Sequence, residues 1–144
     1  MKFLCHLLDF RKAPVSLHGL KAWLDQNQSE LAEILSPGIL LKLRSNKIHK
    51  IMSAIAVLLP ACTHCNQVGA PTIFASRQEH SSYAYRVDDA ISNAILTRVK
   101  PPYWLLPDNS QMGADAYFEC TVCGAIWSLV EPERQDNGKW ERIA

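Results

Sequence analysis

Two Cys-x-x-Cys pairs, Cys62-Thr-His-Cys65 and Cys120-Thr-Val-Cys123, constrain this chain more than any other feature. Two sulfurs three residues apart on a tight turn can occupy adjacent vertices of a tetrahedron, and two such turns supply a full four-thiolate shell for one metal ion. Sharing an ion closes residues 66 to 119 into one long excursion, so the second pair must return to the first. A chain leaving such a turn needs positive φ. Gly124 follows the second pair and supplies it, while Asn66, a residue that tolerates this region, holds the same place after the first. The sequence therefore predicts two similar knuckles.

Bulk properties set the frame around them. At 144 residues, 48% apolar and 20% charged, the chain can bury one real core and does not read as disordered. A net charge of +1 excludes a strong overall field for nucleic acid or an anionic membrane. The charge is unevenly spread: residues 1–60 carry eight Lys/Arg against four Asp/Glu, and residues 61–144 carry seven against ten. His6 and Asp9 interrupt the first apolar run and no small-residue cleavage site follows, which argues against a signal peptide. No run reaches the 18 or so apolar residues of a membrane span. Five cysteines, four of them in metal-type pairs, fit a reducing compartment, so the expected location is the cytoplasm. The odd one, Cys5, sits in an apolar run and is expected to be a buried core thiol.

Periodicity then divides the chain. Phe3, Leu4, Leu7 and Leu8 share one helical face, and Pro14 closes that segment. Ser16 is placed to cap a second helix, which the polar run 26–29 breaks in two. Ser36-Pro37 is a favoured helix start. The stretch after it puts Leu41, Ile48, Ile51, Met52, Ile55, Leu58 and Leu59 on one arc, with Lys42, Lys47, His49 and Lys50 opposite and a kink at Ser45-Asn46. Pro60 ends it. Residues 1–60 thus read as a helical subdomain.

Residues 61–144 change texture. Residues 71–75 predict a short strand, and Tyr83, Val87, Ile91, Ala94, Ile95 and Val99 a helix capped by Ser81 or Ser82. Residues 103–106 predict a strand and 107–110 a turn. Residues 116–120 and 125–130 predict a hairpin with the second knuckle at its tip. Asn137-Gly138 signals a tight reversal into a third strand over 139–143. The expected class is α+β, with the helical insert lying between the knuckles.

Other uses of four cysteines remain open on spacing alone: an iron site, a ligand role for His64 or His80, or thiol–disulfide exchange. Exchange wants a low-pKa cysteine at a helix N-terminus, and neither pair leads into one. A structural zinc ion accounts best for the pattern. Catalysis is not expected. Four cysteines close the coordination shell, and the His-x-Glu and Pro-Cys-x-x-Cys pattern of zinc deaminases is missing, with Glu119 where the proline belongs.

Across residues 61–69 and 117–130 the chain resembles the zinc-ribbon group, in which two knuckle hairpins share one zinc held by four cysteines. That resemblance implies Cys62, Cys65, Cys120 and Cys123 as ligands of a single structural zinc. The run Tyr117-Phe-Glu-Cys-Thr-Val-Cys-Gly-Ala-Ile-Trp127 is also similar to small bacterial zinc-ribbon proteins that neutralise or escort a partner, including toxin-immunity proteins. It implies protein–protein contact, with Glu131, Glu133 and Asp136 (beside Asp108 and Asp115) facing a basic partner. Trp140, near the end of the chain, is the tryptophan expected to stay partly exposed there. The alternative is a nucleic-acid-binding regulator using Lys42, Lys47 and Lys50 on the basic helix.

Overall fold

The structure is a computed structural model and describes residues 2–12, 17–102 and 115–144. It is an α+β protein whose backbone packing separates a helical unit, Met1–Leu59 with Ala144, from a second unit, Pro60–Ile143.

The helical unit holds α1 (Lys2–Lys12), α2 (Leu17–Gln26), α3 (Gln28–Ile34), α4 (Pro37–Leu43) and α5 (Ile48–Leu58). Its core is one apolar stripe from each helix: Leu7 and Phe10, Leu20 and Leu24, Leu31, Leu43, then Ile51, Met52, Ala54 and Ile55. The polar run breaks the second helical segment at Asn27, whose side-chain amide donates to the Trp23 carbonyl. Ser36 caps α4 by accepting from the Ile39 N–H, with Pro37 in the first turn. Ser16 lies outside the described residues.

Two expectations fail here for one geometric reason each. Leu41 is 74% exposed rather than buried. The single arc assumed a continuous helix, but residues 44–47 form a full break, and α5 restarts at a new phase. Cys5 is exposed. On α1 it shares a face with Asp9 and Lys12, at i+4 and i+7, away from Leu7 and Phe10.

The second unit is a five-stranded antiparallel sheet, order β1-β5-β4-β3-β2, with one long helix. Its elements are β1 (Thr72–Ile73), α6 (Arg77–Ser92), β2 (Leu96–Val99), β3 (Asp115–Cys120), β4 (Ile126–Val130) and β5 (Lys139–Arg142). The register opposes Phe118 to Trp127, Leu129 to Ala116 and to Trp140, and Leu96 to Cys120. All of these therefore lie on one face of the pleat, where Phe74, Tyr83, Val87 and Ala90 join them in a single core. Trp127 and Trp140 stack at its centre, ring centroids 5.0 Å apart and planes 7° from parallel.

α6 starts earlier than its apolar repeat suggests. Ser76 accepts from the Glu79 N–H, and the Glu79 carboxylate accepts from the Ala75 N–H at 3.2 Å, a capping-box exchange shifted by one residue. Ser81 and Ser82 are inside the helix. It ends at Ser92, and Ala94 turns at φ 57°, so Leu96–Val99 becomes a strand rather than another helical turn. The expected helical places of Ala94, Ile95 and Val99 are corrected accordingly. The strand expected over 103–106 and the turn over 107–110 lie outside the described residues.

The reversal into β5 is also longer than the two-residue turn expected at Asn137-Gly138. Glu133 and Asp136 exchange backbone hydrogen bonds at 2.9 Å around Arg134, which holds φ 53°. Gly138 then takes φ 82° just before the strand, its N–H donating to the Asp136 carboxylate.

Candidate metal centre

The four predicted sulfurs converge. Cys62, Cys65, Cys120 and Cys123 place their Sγ atoms within 4.8 Å of one another. Three of the separations are 3.8 Å for Cys62–Cys65, 3.6 Å for Cys62–Cys120 and 3.7 Å for Cys65–Cys123. Four sulfurs at about 2.3 Å from a central ion form a tetrahedron with edges of about 3.8 Å. A disulfide would need about 2.05 Å. The donor set thus has the size of a four-coordinate metal shell and not of an oxidised pair.

Each knuckle is built by the same local bonds. The Asn66 N–H donates to the Cys62 carbonyl at 3.2 Å, and the Gly124 N–H to the Cys120 carbonyl at 3.0 Å. Peptide N–H groups aim at the first sulfur of each pair: those of Cys65 and His64 at Cys62, those of Val122 and Cys123 at Cys120. The Val122 donor lies 3.4 Å from its sulfur. After that the two turns part. Gly124 leaves at φ 75° and starts β4, as expected. Asn66 does not take positive φ. The chain continues as a 3-10 turn over Cys65–Val68, the Asn66 side-chain amide donates to the Ala61 carbonyl, and the left-handed step falls on Gly69 at φ 142°. The second pair therefore sits on the β3–β4 hairpin, while the first is a turn running into a 3-10 segment and not a second hairpin. A Cβ at Gly69 would meet the Tyr83 ring at 2.7 Å, so this glycine also admits the tyrosine whose hydroxyl donates to the Ala70 carbonyl.

The sulfurs differ in environment. Cys65 and Cys120 are fully buried, while Cys62 and Cys123 are half-buried. Burial opposes ionisation of Cys62, but the N–H donors of Cys65 and His64 and the thiols of Cys120 and Cys123 outweigh it and bring its pKa down to about 6. Burial pushes the Cys65 thiol up, and the sulfurs of Cys123, Cys120 and Cys62 push it further. Cys120 is also raised by burial, partly offset by the N–H groups of Cys123 and Val122. Cys62 is thus the sulfur that ionises most readily, and full thiolate coordination of a metal ion would require the buried pair to give up their protons.

Two supporting residues carry no sequence signal. Thr121, between the second-pair cysteines, donates its hydroxyl to the Ala94 carbonyl at 2.7 Å and its N–H to the Ile95 carbonyl at 2.9 Å. It ties the knuckle tip to the end of α6. Arg142 on β5 is drawn down by burial and held up by the charge of Cys123 and Cys65, which places a cation in reach of an electron-rich cluster. Both contacts depend on strands and turns far apart in the chain.

The other expected site residues are dispersed. Trp140 is 1% exposed. Its strand is flanked by β1 and β4 and its ring stacks on Trp127, so the expectation of a partly exposed partner contact is corrected: it is core. Glu131 lies 3.0 Å from the Nε2 of buried His80, near enough for an ion pair although not aligned as a hydrogen bond. Glu133 and the exposed Asp136 brace the β4–β5 loop through the bonds described above. Asp108 and the Asp115 side chain fall outside the described residues. In the helical unit Lys42, Lys47 and Lys50 are all exposed. Lys42 and Lys50 line one groove between α4 and α5, and Lys47 does not.

Comparison of the chain with protein-family models, with curated proteins and with solved structures finds no match. The likeness to zinc ribbons rests on the four cysteines and the single hairpin knuckle.

Proposed function

We propose that the chain is a non-enzymatic, zinc-stabilised protein-binding module. One observation carries this reading: four sulfurs with tetrahedral spacing, two of them fully buried, fill the coordination shell and leave no position for water or substrate. Thiolate ligands at this spacing suit zinc. An ion enclosed in this way organises its surroundings, and function then lies on the surface it organises.

The unit that carries the cluster exposes apolar side chains. Val122, held at the knuckle tip between two ligands, is 59% exposed, and Tyr85 on α6 is 74% exposed. Tyrosine is among the residue types that dominate interface energetics. A toxin-neutralising role would draw instead on Glu131, Glu133 and Asp136. Since the Glu131 carboxylate faces His80 and the Asp136 carboxylate accepts from the Gly138 N–H, we place the contact on Val122 and Tyr85.

Native mass spectrometry of the tagged protein recovered from its own cells tests the reading. The expected result is one zinc and a stoichiometric protein partner, with Val122→Asp and Tyr85→Ala losing the partner and keeping the zinc. A zinc-loaded chain that carries no partner, or variants that bind as well as the native chain, would count against it.

A further inference from the structure

The helical unit carries a feature that the metal centre does not use. α4 and α5 meet around an open groove of about 880 Å³ whose lining includes Lys42, Arg44, Ser45, Asn46, His49 and Lys50. No carboxylate lines it. Among the described residues Lys42 and Lys50 have no ion-pair partner, and Arg44 gives one guanidinium nitrogen to Asp25 at 2.7 Å, leaving its other N–H groups. Lys21, which is not part of the lining, donates to the side-chain oxygen of the lining residue Asn46 and adds a fourth cation nearby. The helix break that overturned the single-arc reading is what brings these side chains together, because residues 44–47 fold α5 back beside α4.

The local electrostatics are unfavourable in isolation. The first turn of α5 contains no acidic residue, and Lys47 provides no side-chain cap. Two lining residues, His49 and Lys50, sit in that turn, at the positive end of the helix, where acidic side chains are favoured. A bound anion relieves that repulsion.

The form of the groove restricts which anion. It is an open groove between two short helices, a form that a flexible single strand can follow, and it offers no protruding element of the kind that reads base edges in a duplex. None of the buried polar side chains (Arg11, His80 and Ser128) lines it, so it lacks the enclosed, converging polar groups of a small-molecule site. No Phe, Tyr or Trp lines it, so the His49 ring is its one stacking surface and the cations carry the contact. Its exposed Leu41 and the open space over Gly38 leave room along the floor. We infer that this groove binds the phosphodiester backbone of single-stranded nucleic acid through Lys42, Arg44 and Lys50, without reading sequence. The inference is independent of the protein-binding reading and uses a different part of the chain.

The test is fluorescence anisotropy of a labelled oligothymidylate of about 20 nucleotides, sized to exceed one binding site, against the zinc-loaded full chain. Three phosphate contacts predict a log–log salt slope of about −2, or roughly a 20-fold loss of affinity between about 50 and 200 mM salt. Lys42→Gln and Lys50→Gln should each weaken binding several-fold at low salt and reduce the slope by about 0.7. Lys47→Gln removes the same charge outside the groove and should leave the slope near its native value. Matching circular dichroism across the three variants keeps the comparison fair. No binding at low salt overturns the inference. So does equal weakening by Lys47→Gln, which would mean diffuse attraction. Thymidine monophosphate competing as well as the oligomer per phosphate would mean a small-anion site and overturns it too.

Discussion

Cys62 is the sulfur of the cluster that ionises most readily. Its folded pKa of about 6 lies below the ordinary value of 9.0, so its ionised form stabilises the fold. In the metal-free protein that contribution is complete above the ordinary value and is lost as pH falls through about 6. Cys65 and Cys120 have raised values and run the other way: their contribution is present below the ordinary value and lost as pH rises through the folded one. Trp140→Ala should cost about 3–5 kcal/mol, as removal of a large core aromatic does; a chemical-denaturation shift below about 1 kcal/mol, the level of a surface change, would contradict its stacked position. The convergence of the four sulfurs was legible because spacing and residue type alone point to it. Trp140 was not, since its burial depends on which strands flank it, and sequence position near the end of the chain says nothing about strand order.

Two elements show how turn chemistry sets the sheet. The helix packed on it is capped by Ser76, and Ser76→Ala should destabilise the protein by about 1 kcal/mol, read from the midpoint of urea unfolding, because the Glu79 N–H loses its acceptor. Gly138→Ala should be far more damaging. Its φ of 82° disfavours any side chain, and a Cβ there would lie 2.1 Å from the Val130 carbonyl oxygen. The backbone must move, at a cost of at least about 2 kcal/mol and with loss of β4–β5 pairing visible by amide exchange. A melting curve identical to the native one would show that the turn is looser than described. The β3–β4 hairpin was readable because alternation and Gly124 agree with the metal spacing. The start of α6 was missed because its first turn, Arg77 to His80, is polar, so the apolar repeat announces only the middle of the helix. The α4–α5 break was underestimated for the same kind of reason: Arg44 to Lys47 contains no proline or glycine, and only the capping bond from Lys47 N–H to Ser45 shows where the helix has already ended.

At the scale of the molecule, the cysteine cluster shares its core with the sheet, while the helices have a core of their own. Structural zinc in small modules contributes roughly 10–16 kcal/mol of apparent binding energy, comparable to the whole stability of a domain. Chelation, or Cys120→Ser, should therefore abolish the sheet signal and the stacked-tryptophan signature in near-ultraviolet circular dichroism, while helical ellipticity from residues 2–59 persists in part. Unchanged spectra and melting after metal loss, verified by elemental analysis, would remove the structural role assigned to the ion. The α+β class follows from two periodicities, 3.6 before Pro60 and mainly 2 near the end, and was open to reading. The placement of β1 beside β5 was not, because it joins residue 72 to residue 140 through backbone bonds with no compositional trace. That pairing has a consequence in time. A chain emerging from the ribosome presents Cys62 and Cys65 long before Cys120 and Cys123 exist, and β1 waits for a neighbour more than sixty residues further on. During synthesis this region offers two thiols and an unpaired strand to the surrounding solution, so translation speed through residues 66 to 142 governs how long it stays open to wrong metals and wrong strands.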